Sequence, residues 1–304
     1  MKKISFYTLG CRLNQSETAS IQNSFEASGY QVVAFDEPSD IVVINTCTVT
    51  EGGDSDTRRL VNKANRINPN ARIALVGCQA QVQKEKLGEM PNVRWIVGNN
   101  RKMDLVAVFK EHPDPQTAAV VTPVIDREPF TQLTASIDRQ HTRANIKIQD
   151  GCDFFCSFCE IPFARGRARS RVFEDILLEA RALAAAGHKE IVLTGINVGT
   201  YTNDGKTLLD VIAKLERIDE LKRIRISSIE PTTIPTELFD HMGKGKLCRY
   251  LHIPLQSGSD DVLTQMNRKY STKEFSAFIE VAHQKVSQIC IGTDVIVGFP
   301  GETE

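Results

Sequence analysis

Residues 40–46 read Asp-Ile-Val-Val-Ile-Asn-Thr, and the four central side chains are all β-branched and apolar. A run with no polar alternation suits a strand buried on both faces. Arg72–Gly77 reads as another buried strand, Asn92–Val97 as a fourth strand, and Lys3–Leu9 is a short strand before them. Helix-forming stretches lie between: Asn14–Ser28 stopped by Gly29, Asp54–Ile67 ending before Pro69, Gln79–Glu89, and a closing Met103–Glu111. Strands alternating with helices of this length imply an α/β domain over residues 1–111. Its sheet is doubly wound, mostly parallel and covered on both sides.

Residues 112–142 carry Pro113, Pro115, Pro123 and Pro129 and little periodicity. They read as an extended linker with one short strand at 118–121. A second βα series fills 143–304. Its strands are expected at Arg143–Gln149, Glu190–Thr194, Arg223–Ser228, Arg249–Leu255 and Ile289–Val297. Helices are expected at Phe173–Ala186, Leu208–Ile218, Thr236–His241, Asp260–Met266 and Thr272–Lys285. A closed eight-stranded barrel needs roughly 200 residues or more. The 162 residues from Arg143 onward therefore make a partial (βα) barrel.

The chain has 304 residues and a formal net charge of -1. That balance excludes a uniformly basic nucleic-acid binder and leaves room for a local basic patch. No stretch approaches ~18 apolar residues, and the start shows no signal-peptide pattern, so a cytoplasmic protein without a membrane partner is expected. Eight cysteines are too few for a disulfide scaffold in a chain of this length.

Cys152, Cys156 and Cys159 form C-x3-C-x2-C directly after the first strand of the second series. Barrel enzymes carry their chemistry on that face. Three thiolates in eight residues can grip one metal centre, and thiolates select zinc or iron–sulfur clusters. A structural zinc wants a fourth ligand at close spacing, and none follows. Three protein ligands leave one position open for chemistry.

Cys11, Cys47 and Cys78 are dispersed, yet each lies just past the carboxyl end of an expected parallel strand. Those ends share the ligand-binding edge of an open α/β sheet. From topology alone they read either as ligands of a second cluster or as three buried cysteines. Cys248 and Cys290 begin their strands, on the face associated with stability, and read as structural.

The triad Cys152, Cys156 and Cys159, with Phe158 before the last cysteine, resembles the radical S-adenosylmethionine enzymes. Thr8-Leu9-Gly10-Cys11-Arg12-Leu13-Asn14-Gln15-Ser16-Glu17, Asn45-Thr46-Cys47-Thr48-Val49-Thr50 and Gly77-Cys78-Gln79-Ala80-Gln81 resemble the amino-terminal domain of the methylthiotransferases within that group. Thr194-Gly195-Ile196-Asn197-Val198-Gly199 and Arg225-Ile226-Ser227-Ser228-Ile229-Glu230-Pro231 extend the resemblance over nearly the whole chain, linker excepted. Glu160 departs from it, since that position is usually aliphatic.

The resemblance implies two 4Fe-4S clusters, one on each triad, and S-adenosylmethionine on the open iron of the cluster held by Cys152, Cys156 and Cys159. It implies a 5′-deoxyadenosyl radical that takes hydrogen from carbon 2 of an adenine, and sulfur insertion through the second cluster. The strand ends Thr194, Gly195, Glu230, Gln256 and Gly298 are candidates for the S-adenosylmethionine pocket, each also readable as a plain turn residue. Arg165, Arg167, Arg169 and Arg171 place four guanidiniums in seven residues. They read either as a solvated stretch or as phosphate contacts with RNA, with one of them free to hold a carboxylate inside the fold.

The strings Asn-Thr-Cys-Thr-Val-Thr, Arg-Gly-Arg-Ala-Arg-Ser-Arg and Ile-Ser-Ser-Ile-Glu-Pro are similar to the subfamily acting on N6-threonylcarbamoyladenosine beside the tRNA anticodon. That implies the tRNA anticodon loop as partner and an electron donor such as flavodoxin or ferredoxin. Isopentenyladenosine tRNA, an aspartate of a ribosomal protein, and a non-catalytic zinc-holding RNA module are the alternatives. Family members continue past the fifth strand with a sixth strand and a small RNA-binding β-barrel, which the residues up to Glu304 do not include.

Overall fold

The computed structural model describes residues 1–48, 51–132 and 142–303, with 51–54 described by their backbone alone. Val49 and Thr50 of the second signature string, residues 133–141 of the expected linker, and Glu304 lie outside the described residues. Two compact units form. One holds Met1–Asp126 together with Phe163–Gly166, and the other holds Arg127–Thr131, the strand and cysteine loop up to Pro162, and everything from Arg167.

In the first unit the elements run β1 (Lys3–Thr8), α1 (Arg12–Ala27), β2 (Gln31–Val33), β3 (Ile41–Thr46), α2 (Glu51–Ile67), β4 (Arg72–Gly77), α3 (Cys78–Val82), α4 (Lys84–Gly88), β5 (Val93–Val97), α5 (Leu105–Glu111) and β6 (Ala119–Val121). Six strands pair in the order β2-β1-β3-β4-β5-β6, all parallel. The apolar run around Val42 explains the layering. Val42 and Ile44 pack with Leu60, Val61 and Ala64 of α2 and with Leu87 of α4 on one face. Ile41 and Val43 pack with Ile21 and Phe25 of α1 and with Phe109 of α5 on the other. A strand between two helical layers has no wet face, so it carries no polar alternation.

Two expectations are corrected here. The single helix expected over Gln79–Glu89 is two short helices, because Gln83 leaves helical geometry at φ −128°, ψ 33°. β2 was not expected; only three residues long, it adds a parallel edge beside β1. The short strand at 118–121 forms as β6 and extends the sheet past β5.

The second unit runs β7 (Arg143–Lys147), β8 (Gln149–Asp150), β9 (Arg169–Ser170), α7 (Phe173–Ala185), β10 (Glu190–Thr194), β11 (Thr202–Asn203), β12 (Lys206–Thr207), α8 (Leu208–Leu215), β13 (Arg223–Ile226), α9 (Leu238–Lys244), β14 (Tyr250–His252), α10 (Asp260–Gln265), α11 (Thr272–Lys285) and β15 (Cys290–Gly292). A further helix, α6 (Ile161–Arg165), precedes β9 in the chain, and its residues from Phe163 onward belong to the first unit. β13, β10 and β7 form one parallel ladder, and β14 pairs with β15 in another. Ile224 of β13 joins them, its N–H donating to Lys246 O at 2.9 Å and its carbonyl accepting from Cys248 N at 2.9 Å. The result is a partial βα barrel. β15 is shorter than the expected 289–297, with a separate parallel bridge between Gln256 and Val295.

Candidate active site: two sets of cysteines

β7 is interrupted after Lys147 and resumes as β8, which pairs antiparallel with β9. This two-residue pair clamps the base of the loop that carries Cys152, Cys156 and Cys159. Asp150, fully buried, sets the entry: its carboxylate accepts from Gly151 N at 2.9 Å and from Lys147 Nζ at 2.6 Å. Gly151 turns the chain with φ +68°, a conformation that suits glycine.

The far side of the loop is held by the turn after α10. Ser157 N donates to Met266 O at 3.1 Å, and Asn267 Nδ2 donates to Phe155 O at 2.9 Å. Phe155 itself sits at φ +50°, unusual for a residue with a bulky side chain. Arg268 donates from Nη1 to Cys156 Sγ at 3.1 Å and forms an ion pair through Nη2 with Glu230. Tyr270 braces it, its hydroxyl accepting from Arg268 and donating to Pro254 O at 2.7 Å. No sequence signal singles out Arg268. It lies 112 residues from Cys156, and only the fold joins them.

Burial pushes Cys152 up to about 11; the Phe154 amide draws it back, and Cys159, Cys156 and Glu230 push it further. Burial also raises Cys159, with Cys156 adding to the rise and Arg268 opposing it. A cationic centre held by these sulfurs would offset the cost of ionising buried thiols.

The expected strand-end residues divide. Burial raises the Glu230 carboxyl, and Arg268 pulls it back. Glu230 therefore joins the cysteine loop through Arg268. Thr194 is buried and donates its hydroxyl to Ile146 O at 3.1 Å, so it ties strand to strand. At Gly195 a Cβ would come within 2.9 Å of Gln149 Oε1. That oxygen accepts from Ile196 N at 2.9 Å and Asn197 N at 3.0 Å, shaping the turn after β10. Gln256 (φ +69°) and Gly298 (φ +75°) both turn the chain through left-handed backbone. Asn197, in the same Thr194–Gly199 string but not among the expected pocket residues, is buried with its Nδ2 unpartnered. It lines a cavity of about 290 Å³ together with Cys152, Phe154 and Arg169.

The arginine series is corrected at two positions. Arg165 is fully buried, donating to Glu17 Oε1 at 3.1 Å and to Asn14 Oδ1 at 2.6 Å. Arg171 is fully buried between Asp175 and Glu179. Neither guanidinium faces solvent, so neither meets an RNA phosphate. Arg169 is mostly buried, pairing with Asp150 at 3.4 Å over the Phe130 ring. Arg167 alone of the four is well exposed, stacked on Phe155 with Asp153 at 3.3 Å.

In the first unit the parallel register does the gathering. Thr46 pairs with Gly77, so Cys47 and Cys78, the next residues, emerge side by side. Cys11 follows β1 as the N-cap of the 16-residue α1, where the helix dipole favours an anionic ligand. A Cβ on Gly10 would lie 2.5 Å from Cys47 Sγ, which shows how closely that loop passes the thiol. Asn14 ties both loops, donating to Leu9 O at 2.8 Å and Thr46 O at 3.1 Å. Asn99 Nδ2 reaches Cys78 Sγ at 3.5 Å.

None of the cysteines is in a disulfide. Among the described residues, no three His, Cys, Asp or Glu side chains converge as a single-ion site. Donor chemistry and position therefore carry the assignment: two all-thiol sets, with N–H donors aimed at sulfur, fit iron–sulfur ligation. Of the two remaining cysteines, Cys248 is half-buried and Cys290, which opens β15, is exposed.

The radical SAM superfamily matches residues 146–304, and the family described as "Uncharacterized protein family UPF0004" matches residues 3–98. The threonylcarbamoyladenosine tRNA methylthiotransferase MtaB of Bacillus subtilis (strain 168) is 38% identical over 309 residues, covering 100% of this chain and 68% of its own length. The chain belongs to the radical S-adenosylmethionine methylthiotransferases. The methylthiotransferase of the same name from Aquifex aeolicus (strain VF5) is also 38% identical, over 99% of this chain and 74% of its own. Among solved structures, the radical S-adenosylmethionine methyltransferase TsrM from Kitasatospora setae, with cobalamin and a [4Fe-4S] cluster bound, superposes with a TM-score of 0.72 at 16% identity. The match covers 99% of this chain and 70% of that one. At that identity the likeness speaks for the fold of this methylthiotransferase. The superfamily works with S-adenosylmethionine and 4Fe-4S clusters, and methylthiotransferases carry two.

Proposed function

We propose that the chain adds a methylthio group to carbon 2 of N6-threonylcarbamoyladenosine next to the anticodon of tRNA. The observation that carries this reading is the pair of all-thiol sets, each at the carboxyl edge of its own parallel sheet. The substrate follows the names of the relatives at 38% identity. In this reading Cys152, Cys156 and Cys159 hold the cluster that binds S-adenosylmethionine, and Cys11, Cys47 and Cys78 hold the second. Bound there, the cofactors supply one-electron chemistry at S-adenosylmethionine and the sulfur that is inserted.

The chain's own residues prepare the site. Arg268 holds Cys156 and Glu230 in one network, so the cysteine loop and the end of β13 keep a common position. Gly195 lets Gln149 approach the turn after β10, which shapes the cavity beside Cys152. Thr194, Glu230, Gln256 and Gly298 stand at strand ends where the amino acid moiety, ribose and adenine of S-adenosylmethionine would bind. Asn197 offers its free amide to the same cavity. Arg167 offers a phosphate contact, and Arg169 lines that cavity. A cytoplasmic one-electron donor of the flavodoxin or ferredoxin kind supplies the electrons.

Replacing Cys152 or Cys47 by Ala, loading iron and sulfide anaerobically, and digesting the tRNA for mass spectrometry tests the assignment. Wild type yields the methylthio product and both variants yield none. Product from either variant would sink it. The synthase named for N(6)-dimethylallyladenosine in Cereibacter sphaeroides (strain ATCC 17023) is 35% identical. A mass gain on isopentenyladenosine tRNA instead of threonylcarbamoyladenosine tRNA moves the substrate to that group. A colourless, zinc-loaded protein would indicate a binding module.

A further inference from the structure

Two of the four arginines after the cysteine loop are fully buried in ion pairs, which leaves little basic surface there for a polyanion. One groove of the first unit has the right composition. It encloses about 770 Å³ along α2, α3 and α4, and its lining includes Arg58, Arg59, Arg66 and Lys86 with Asn62 and Gln79. Among the described residues, no acidic side chain lines it. Arg58, Asn62 and Arg66 follow one another at intervals of four, so they share one face of α2 and project at ~6 Å steps along it. All three are exposed. Arg59 is held in a surface ion pair with Asp56 at 2.9 Å, which leaves Arg58 and Arg66, among the described residues, as the unengaged guanidiniums of the face.

The position of the groove is as telling as its charge. α2 leaves the sheet at the edge where Cys47 emerges and returns to the opposite edge at Ile67. Gln79 follows Cys78 directly, and its Oε1 accepts from Thr57 Oγ1 of α2 at 2.7 Å. One end of the basic groove therefore adjoins the first cysteine set, and Arg66 and Lys86 lie toward the other. A chain whose net charge is -1 has gathered four cations here, and among the described residues no carboxylate is part of the lining.

Resting on the proposed tRNA substrate, the geometry points to this groove as a track for the RNA sugar–phosphate backbone, leading to the sheet edge that bears Cys11, Cys47 and Cys78. Its lining favours RNA over an acidic protein. Arginine, lysine, asparagine and glutamine are the side chains that bind phosphate and sugar. A protein interface would need an apolar core, and Met90 is the single large apolar residue of the lining. Alternate phosphates along one strand match a helix face that offers a cation about every 12 Å.

The test uses the loaded full chain and a fluorescein-labelled tRNA transcript, with binding followed by anisotropy over a salt series. The variants are Arg58→Glu with Arg66→Glu, and Lys86→Glu alone. Melting temperature and iron content, which these surface positions leave unchanged, report on folding. The double variant should raise Kd ~10-fold or more and lower the salt slope by ~2, about one for each phosphate no longer neutralised. Lys86→Glu should lower it by ~1. Unchanged Kd and slope in folded variants would overturn the inference. So would unchanged RNA binding with slower reduction by an acidic flavodoxin, which would make the groove a donor-docking surface. A wild type that neither binds nor modifies tRNA would overturn both this and the proposed function. A wild type that modifies tRNA no better than the double variant does would overturn only the groove.

Discussion

Arg268 donates to Cys156 Sγ at 3.1 Å while its other terminal nitrogen is ion-paired with Glu230. A single guanidinium so links the cysteine loop to the third barrel strand. Burial raises the Glu230 carboxyl, and Arg268 is what draws it down. Replacing Arg268 by Met removes the opposing charge, so the Glu230 carboxyl rises further. Breaking a buried pair from one side costs about 3 kcal/mol. The expected outcome is a lower melting temperature in the apo chain, and a shifted electron paramagnetic resonance signal in the reduced, loaded chain. Arg268→Lys, which keeps the charge but cannot bridge both partners, should recover stability without restoring the signal.

Arg165 and Arg167 are two residues apart and should behave oppositely. Arg165→Met leaves Glu17 without one of its cationic partners in a fully buried site, with Lys102 remaining, and should destabilise the chain by about 3 kcal/mol. Arg167→Ala removes an exposed pair worth about 0–1 kcal/mol. Denaturant titration of both variants separates them, and equal losses would contradict the burial of Arg165.

Cys152 titrates high, at about 11, chiefly because it is buried. A thiol raised in the folded state contributes stability below its unfolded value, and loses it as pH climbs from about 9 toward 11. The apo chain should therefore weaken across that window. Alkylation of Cys152 by iodoacetamide should stay slow at about pH 8, below the ordinary thiol value, and accelerate as pH rises through the folded one, as read by peptide mass spectrometry. Fast alkylation at the lower pH would contradict it.

Gly10 lies at φ +86°, and a Cβ there would come 2.5 Å from Cys47 Sγ. Gly10→Ala should displace one loop of the first cysteine set and leave the second set intact. After reconstitution, iron should fall from about eight per chain to about four, the content of one 4Fe-4S cluster. Full iron content in the variant would show that the loop tolerates the methyl group.

Much of this was legible because it is local. Three cysteines within eight residues need no fold to be recognised, since adjacent residues are close in any conformation. The uninterrupted apolar runs around Val42 and Leu75 identify buried parallel strands, because a strand covered on both faces cannot alternate. Parallel strands in turn place Cys11, Cys47 and Cys78 on one edge. The expected helix over Gln79–Glu89 failed at Gln83, where nothing in the local pattern marks a break.

Sequence alone thus determined the α/β class, the two cysteine sets and the family. Tertiary structure decided the fate of each charge. Arg165, Arg167, Arg169 and Arg171 look alike in the chain, yet their carboxylate partners range from Glu17, 148 residues from Arg165, to Asp175, four residues from Arg171. A guanidinium is a surface group or a buried strut according to which carboxylate the fold brings to it. Desolvation makes the buried choice tolerable only when such a partner is there, and the pairing exists only once the chain is folded.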